Sequence, residues 1–241
     1  MAVGDLPKII SSITGILCRM KLTKFTHACV RLERAGSVMV IDPGSFSPPG
    51  EMEEVLSGAT AILITHEHFD HLDAGKVVAA LESTADLHLW APDGVAGSLR
   101  GQLSDAAVTR VHIALPETAF TAAGFAVRTF GSQHALIHAH IPMVANLGYL
   151  IEDAVYHPGD SFVVPHGARV EALLVPVHAP WSKTAEVIDF VIGVRAPRAF
   201  PIHDALLNET GLKLVEGHVG RLGGHYGTQF EHLSPGQSIE L

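Results

Sequence analysis

The heptapeptide THEHFDH, residues 65–71, contains three histidines and two carboxylates. The apolar run AILI (61–64) precedes it, and the helix-like segment AGKVVAALE begins at residue 74. The heptapeptide therefore lies on a loop between a predicted buried strand and a predicted helix. Imidazole and carboxylate groups are the ligands that zinc and similar divalent ions prefer. The stretch predicts a metal site, and its density of ligands indicates two ions.

Length and composition limit the class of protein that carries this site. The chain has 241 residues, of which 47% are hydrophobic and 17% are charged. These values predict one domain with a substantial core and exclude a disordered chain. No apolar stretch approaches the ~20 residues that a membrane-spanning helix needs, so no membrane partner is expected. The net charge of −9 weighs against a nucleic-acid partner, although bound dications would add positive charge at the site.

The first nineteen residues differ from the rest of the chain. They contain an apolar section but lack the charged start and the small-residue cleavage site of a signal peptide. We expect residues 1–19 to be an N-terminal extension, or Met20 to be an alternative start, with residues 20–241 forming the domain. Cys18 and Cys29 are too few for a disulfide framework and are interpreted as small apolar residues. We expect a cytoplasmic protein with a small-molecule substrate, and the formation of a homo-oligomer stays open.

Short β-rich and helical segments alternate from residue 21 onward. Strands are predicted at 21–25, 28–33, 37–41, 60–64, 87–90, 146–151, 154–156, 172–175, 198–201, 229–232 and 238–241. Helices are predicted at 51–57, 74–81 with Asp73 as N-cap, 93–100, 184–194 and 209–219. The region 108–130 is interpreted as several strands broken at Pro116-Glu117 and Gly124. Two packed sheets with helices outside account for this order.

Four further polar residues follow apolar strands, as metal ligands on a rigid scaffold do. They are Asp42, His134, Asp160 and His203. Each has another interpretation when taken alone. Asp42 before Pro-Gly forms turns, Asp160 after a glycine is a turn residue or a helix cap, and a lone histidine is often a core residue. Taken together with the heptapeptide, they favour a shared site.

The heptapeptide matches the His-x-His-x-Asp-His signature of the metallo-β-lactamase superfamily, and the chain resembles that family from about Met20 onward. The resemblance implies an α+β fold, a four-layer αβ/βα sandwich in which two mixed β-sheets are flanked by helices. The metals would lie at one edge between the sheets. The segments GSQHALIH, NLGYLIED, YHPGDS and FPIHD resemble the small branch that includes the ascorbate-6-phosphate lactonase-like proteins.

The resemblance also implies two divalent ions, expected to be zinc, with manganese or iron as alternatives. The implied ligands are His66, His68 and His134 for one ion, Asp70, His71 and His203 for the other, and Asp160 as the bridge. Asp42 would orient a ligand from behind. His134 is chosen because it directly follows a strand and its sequence context fits the family. His138 or His140 is the alternative ligand; otherwise these two histidines line the pocket or are simply solvated.

Several residues beside the predicted ligands have open roles. Glu67 and Phe69 are interpreted as spacers within the heptapeptide. His157, next to Pro-Gly-Asp, either supports the ligands or is a buried structural histidine. Trp181 either stacks on a substrate or packs down at a helix entry, and Lys183 in the same loop is a candidate contact for a phosphate or carboxylate.

Two divalent ions can share a hydroxide and lower the pKa of water from about 15.7 toward ~7. The resemblance therefore implies a hydrolase in which a metal-bridging hydroxide attacks a small ester, lactone or phosphoester, with Asp70 and Asp160 as the catalytic carboxylates. A phosphodiesterase or nucleic-acid-processing hydrolase of the same fold is one alternative, and a non-catalytic metal-binding protein is another. Zinc β-lactamases carry a cysteine where this chain has Asp160, so hydrolysis of β-lactam antibiotics is not expected.

Overall fold

The computed structural model describes residues 19–241, which form two halves of alternating strands and helices. The first half contains β1 (Lys21–Lys24), β2 (Val30–Arg34), β3 (Ser37–Ile41), α1 (Glu51–Leu56), β4 (Ala61–Leu63), α2 (Ala74–Ser83), β5 (His88–Ala91), α3 (Asp93–Arg100), α4 (Asp105–Val108) and β6 (Val111–Ile113). The second half contains β7 (Ala119–Ala122), β8 (Phe125–Phe130), β9 (Gly148–Ile151), β10 (Val155–His157), β11 (Ala172–Pro176), α5 (Thr184–Val194), β12 (Arg198–Ile202), α6 (Glu209–Gly224), β13 (Gln229–Phe230) and β14 (Ser238–Glu240).

The strands of the described chain form two mixed sheets of seven strands each. The first sheet has the order β14-β1-β2-β3-β4-β5-β6, and the second has the order β13-β12-β11-β10-β9-β8-β7. Strands β14 to β3 pair antiparallel, and β3 to β6 pair parallel. In the second sheet β7 to β10 pair antiparallel, and β10 to β13 pair parallel.

Buried apolar side chains lie in three layers that hold the sheets and helices together. The central layer lies between the sheets and includes Leu32 from the first and Tyr149 from the second. The outer layers pack the first sheet against α1–α3 and the second against α5 and α6. This arrangement is the predicted four-layer αβ/βα sandwich, which is thereby confirmed. Strand β4 is apolar at every position because both of its faces are covered.

The carboxyl ends of six strands meet at one edge between the sheets. Strands β1, β3 and β4 run in the same direction in the first sheet, as do β8, β10 and β12 in the second. The predicted ligands follow the ends of these strands. The fold therefore brings residues that are far apart in sequence to one edge.

Some local predictions differ from the structure. The helix predicted to end at residue 219 continues to Gly224, and its last turn packs against α5 so closely that a Cβ at Gly223 would lie 3.0 Å from a Val191 methyl. The strand predicted at 229–232 ends at Phe230. The short helix α4 was not predicted, and Ser104 caps it by accepting a hydrogen bond from the backbone N–H of Ala107.

Other local predictions hold, and one lies outside the described residues. Asp73 caps α2 as predicted, because its side chain accepts a hydrogen bond from the backbone N–H of Lys76. Cys29 is buried. The predicted N-terminal extension, including Cys18, lies outside the described residues apart from Arg19. Between residues 19 and 241, no helix is long and apolar enough to cross a membrane.

Candidate metal centre

Histidine and carboxylate side chains converge at the strand ends in two groups. Within each group the candidate ligand atoms lie within 4.8 Å of one another. The first group is His66, His68, His134 and Asp160, and the second is His27, Asp70, His71 and His203. All seven residues that were predicted as ligands belong to these groups, and His27 is an addition.

Asp160 lies between the two groups. Its Oδ1 is 3.0 Å from Nε2 of His71. Its Oδ2 is 3.2 Å from Nε2 of His134 in the first group and 3.2 Å from Nε2 of His203 in the second. One carboxylate therefore faces histidines of both groups, which is the placement that a bridging ligand requires.

Two glycines allow the loops of the site to approach one another. Gly159 has a φ of 61°, and a Cβ there would overlap Oδ1 of Asn146. The same Asn146 oxygen accepts a hydrogen bond of 2.9 Å from the backbone N–H of Asp160. A Cβ at Gly44 would overlap the backbone carbonyl of Asp70. Both loops therefore need a residue without a side chain at these positions.

Several buried polar atoms of the site lack a hydrogen-bond partner within the described part of the chain. They are Nε2 of His71, His134 and His203 and Oδ1 of Asp160. The short distances between them do not have hydrogen-bond geometry. An unsatisfied buried polar atom costs about 1–3 kcal/mol, so four of them in one place call for a ligand. Divalent ions such as zinc, manganese or iron would satisfy imidazole and carboxylate donors of this kind, so the residues present fit the predicted ions.

Hydrogen bonds on the far side of the rings fix which nitrogen faces the centre. Nδ1 of His71 lies 2.7 Å from Oδ2 of Asp42, and Nδ1 of His203 lies 2.6 Å from the carbonyl oxygen of His178. Nδ1 of His134 lies 2.5 Å from the carbonyl oxygen of the next residue. Because these oxygens can only accept, each Nδ1 carries a proton, and each Nε2 is the nitrogen that faces the centre and would bind a metal after losing any proton of its own.

Hydrogen bonds also orient the first two histidines of the heptapeptide. The hydroxyl of Thr65 donates to Oδ2 of Asp42 at 2.6 Å, so its oxygen accepts from Nδ1 of His66 at 3.0 Å. Nε2 of His66 then faces Nδ1 of His68 across 3.1 Å. Tetrahedral ligands at zinc–nitrogen distances of about 2.0–2.1 Å lie roughly 3.3 Å apart, so this spacing suits two ligands of one ion.

Asp42 is fully buried behind the site, where its carboxylate accepts several hydrogen bonds. Its carboxylate accepts hydrogen bonds from the backbone N–H of Thr65 at 2.8 Å, from the Thr65 hydroxyl, and from Nδ1 of His71. It therefore connects the end of β3 to both ends of the heptapeptide. This contact is the one expected of a residue that orients a metal ligand.

Burial and charge shift the pKa values of the central groups in opposite directions. Burial alone would lower the pKa of His203, but the carboxylates of Asp160 and Asp70 raise it to about 9. Burial alone would raise the pKa of Asp160, but the charges of His71 and His203 hold it well below its usual range. Burial lowers the pKa of His66, which favours the neutral ring. Asp160 is therefore ionised, which is the form that binds a cation.

His27 was not among the predicted site residues. It lies in the turn between β1 and β2, and its Nδ1 accepts a hydrogen bond of 3.3 Å from the backbone N–H of Ala205. The ring proton is therefore on Nε2, which donates to Oδ2 of Asp70 at 3.2 Å. Burial lowers the pKa of His27 to about 4, so the ring is neutral. With this tautomer His27 offers Asp70 a hydrogen bond and has no lone pair at Nε2 for a metal.

Three residues of the site have a left-handed backbone. The φ angles of His27, Asp42 and His203 are 62°, 52° and 58°. The first and last of these are linked, because the backbone N–H of His203 donates to the carbonyl of His27 at 3.1 Å. Backbone strain of this kind in non-glycine residues is concentrated at functional sites.

The structure distinguishes His134 from its two alternatives. His134 is buried in the first group, whereas His138 and His140 are exposed and their rings contact each other with centroids 5.2 Å apart. The predicted placement of His138 near the ligands or in the pocket is therefore corrected. The reason is the course of the loop, since the backbone N–H of Ala135 still donates to the carbonyl of Asp160 but the following residues turn to the surface.

The ring of His157 forms hydrogen bonds only with backbone groups. Its Nε2 donates to the carbonyl oxygen of Ala28 at 2.8 Å, and its Nδ1 accepts from the backbone N–H of Gly159 at 3.1 Å. Both ring nitrogens are therefore used by backbone groups, so neither is available to a metal. The ring connects the β1–β2 turn to the loop that carries Asp160.

Trp181 combines the two interpretations that the sequence left open. Its indole N–H donates to Oδ2 of Asp160 at 2.8 Å, and its ring packs against Phe162 with centroids 5.0 Å apart. The same ring lines the open cavity beside the site. Lys183 is exposed and lies 3.4 Å from Glu186, and it does not line the cavity.

The cavity beside the candidate ligands has a volume of about 310 Å³. His68, Asp70, His134, Asp160 and His203 form its polar floor. Phe69, interpreted as a spacer from the sequence, lines the cavity with 65% of its surface exposed. That interpretation is corrected, because the turn at the end of the heptapeptide points this ring away from the core and toward the cavity mouth.

The fold and the two histidine–carboxylate groups define a protein of the metallo-β-lactamase fold. Residues 21–203 match the family model described as a beta-lactamase superfamily domain, so the chain belongs to this family. It is 37% identical over 195 residues to protein Rv0786c of Mycobacterium tuberculosis, across 78% of this chain and 85% of that protein. It is 26% identical over 249 residues to a UPF0173 metal-dependent hydrolase of Chelativorans sp., across 92% of this chain and 100% of that protein.

A solved structure shows the same fold. Igni18, described as a novel metallo hydrolase from the archaeon Ignicoccus hospitalis, superposes with a TM-score of 0.70 at 16% identity, covering 92% of this chain and 98% of that chain. At this level of identity the likeness concerns the fold alone. The predicted relation to the lactonase-like branch stays a prediction.

Proposed function

We propose that this protein is a metal-dependent hydrolase whose two divalent ions share Asp160. The observation that supports the proposal is the position of this carboxylate between three buried histidine Nε2 atoms that form no hydrogen bond within residues 19–241. The name of the Chelativorans relative, a metal-dependent hydrolase, supports the same reaction class.

The two spatial groups divide the ligands between the two ions. His66, His68 and His134 would hold one ion and Asp70, His71 and His203 the other. When bound here, two divalent ions lower the pKa of a shared water toward ~7 and polarise the bond that is to be broken. Zinc, manganese and iron all suit this donor set. The proposed substrate is a small ester, lactone or phosphoester.

The chain's own carboxylates have different tasks in this proposal. The side chain of Asp160 is 4% exposed and receives the indole N–H of Trp181, so it is held in place between the two groups. The side chain of Asp70 is 16% exposed and lines the cavity. We therefore assign proton transfer at the substrate side to Asp70, because it is the more exposed of the two carboxylates that line the cavity.

Metal content and turnover test the proposal directly. Protein purified without chelator is expected to hold two divalent transition metal ions per chain, as measured by elemental analysis. It should hydrolyse at least one member of a panel of esters, lactones and phosphodiesters, and a chelator should abolish that activity until metal is restored. Absence of bound metal would overturn the proposal, and stoichiometric metal without turnover would favour the non-catalytic alternative.

A matched histidine pair tests the ligand assignment. His134→Ala is expected to weaken binding of one ion by at least about 10–100-fold, because it removes a buried lone pair from the first group. His138→Ala, four residues along the same loop, is expected to bind metal like the unchanged protein. The reverse result in a metal titration would mean that the loop is arranged differently when metal is bound.

Substitution of His27 separates a supporting residue from a ligand. His27→Phe removes the N–H that reaches Asp70 and is expected to lower kcat/KM about 10–100-fold. Two ions per chain should remain, because the ring offers no lone pair. His27→Gln keeps an N–H donor and must adopt the same left-handed backbone as His27→Phe. It should therefore recover part of the lost kcat/KM. If both variants lose one ion, His27 is a ligand and the tautomer assigned here is wrong.

A further inference from the structure

The cavity wall above the metal ligands is apolar. Six side chains beside the polar floor line it: Phe46, Phe69, Ile137, Pro180, Trp181 and Leu206. They come from five separate loops that follow the strand ends. Phe46 and Phe69 contact each other edge to face with centroids 5.5 Å apart, so they form one continuous surface. Such a wall stabilises a ligand by removing its apolar surface from water.

Within the described residues, no lysine or arginine lines this cavity. Lys183, in the neighbouring loop, is exposed and pairs with Glu186. Lys24 is buried, but its ammonium is taken by Asp204 at 2.9 Å. A phosphate or carboxylate on the non-reacting part of a substrate would lose its bound water here, and no side-chain cation of the cavity would replace those contacts. Binding of such a group is therefore unfavourable.

We propose, on the basis of the hydrolase function above, that the substrate is a neutral carboxylic ester or lactone with an apolar acyl or aryl group. The apolar group lies against the six-residue wall while the carbonyl faces the histidine–carboxylate floor. In the reaction the acyl C–O bond breaks, and water supplies oxygen to the acyl carbon and a proton to the alcohol oxygen. An ester gives a carboxylic acid and an alcohol, a lactone gives a single hydroxy acid, and no other reactant is needed.

The size of the cavity limits the apolar group. At about 310 Å³ it lies at the small end of the roughly 300–1,000 Å³ range of small-molecule sites. We therefore expect affinity to increase with chain length for short groups and then to level off. A sugar phosphate carries several hydroxyl groups and a dianion, so it would bind poorly against this apolar wall. We therefore do not expect the substrate to be the lactone of a phosphorylated sugar.

Binding of alkyl hydroxamates tests the wall without relying on turnover. Acetohydroxamate, butyrohydroxamate and hexanohydroxamate attach to the metal through the same head group, so differences among them report the wall. For the zinc-loaded protein, calorimetric titration is expected to show the dissociation constant falling about three- to four-fold per added methylene over this series. An affinity that does not depend on chain length would overturn the inference.

Turnover provides the second comparison. The kcat/KM for p-nitrophenyl acetate, butyrate and hexanoate should increase in that order and exceed the values for p-nitrophenyl phosphate and bis-p-nitrophenyl phosphate. Preference for either phosphate compound would overturn the inference and leave the proposed hydrolase function intact. Chain-length-dependent hydroxamate binding without turnover of any compound would instead overturn the hydrolase function and support the apolar site.

A matched pair of variants tests whether the chain-length dependence of hydroxamate binding comes from the apolar wall. Phe69 lines the cavity and is 65% exposed, whereas Leu214 is 62% exposed on α6 and lies outside it. Phe69→Ser is expected to weaken hexanohydroxamate binding several-fold and acetohydroxamate binding less. Leu214→Ser should leave the whole series unchanged. Equal effects of the two substitutions would show that the chain-length dependence does not come from this wall.

Discussion

Replacement of Asp160 by asparagine is expected to reduce kcat/KM at least about 10²-fold, because it removes a buried negative charge that lies between the two histidine groups. Oδ1 of this residue faces His71, and Oδ2 faces His134 and His203. The amide keeps the size of the side chain but would turn an NH₂ toward one of the two ions. We therefore expect the metal content to fall from two ions per chain toward one. Elemental analysis and steady-state kinetics measure the two effects on the same sample.

The comparison needs a control that changes the same chemical group elsewhere. Asp86 is exposed between α2 and β5 and takes no part in the centre, so Asp86→Asn should retain both ions and full activity. Two bound ions and near-normal kcat/KM in the Asp160→Asn protein would contradict the proposed bridge. A loss of one ion with normal kcat/KM would show that a single ion is sufficient for the reaction.

The part of the site that could be predicted from sequence is the part that depends on local spacing. The heptapeptide contains four of the candidate ligands within six positions, so they could be proposed without knowledge of the fold. Asp42, Asp160 and His203 were found because each follows an apolar strand, and parallel strands end at the same edge. The sheets themselves followed from the alternation of strand and helix patterns.

His27 could not be found in this way, because its role depends on contacts that are distant in sequence. Its Nδ1 meets the backbone N–H of Ala205, 178 residues further along the chain, and its φ of 62° turns the ring toward Asp70. A histidine directly after a strand at the same edge was the available signal. That signal was overlooked because the turn between β1 and β2 was interpreted only as a connection.

The sequence favoured His134 over His138 only by its position after a strand and its family-like context, for a related reason. Both residues follow β8 at distances that a loop can span, and only the loop's hydrogen bonds to Asp160 and Val144 keep His134 inside. The apolar wall was missed because its six side chains come from separate loops. Isolated apolar residues in loops are common, so none of them stands out alone.

Replacement of Asp42 by asparagine is expected to lower the free energy of unfolding by about 3 kcal/mol. Asp42 is fully buried and accepts hydrogen bonds from two groups of Thr65 and from His71. An amide can accept at its oxygen, but its NH₂ would face a donor that then has no acceptor. Asparagine tolerates the φ of 52° as well as aspartate does, so the change isolates the side chain from the backbone. Urea denaturation measures the loss through the transition midpoint.

The same substitution should weaken metal binding about 10–100-fold, because Nδ1 of His71 loses the acceptor that fixes its tautomer. Asp73→Asn is the matched control. Asp73 accepts a backbone hydrogen bond at the start of α2, where asparagine caps equally well, so its stability should change by less than about 0.5 kcal/mol. If the Asp42→Asn protein unfolds at the same urea concentration as this control, the hydrogen bonds that Asp42 accepts do not stabilise the fold as proposed. If it is destabilised but binds metal normally, the contact with His71 serves the fold and not the metal centre.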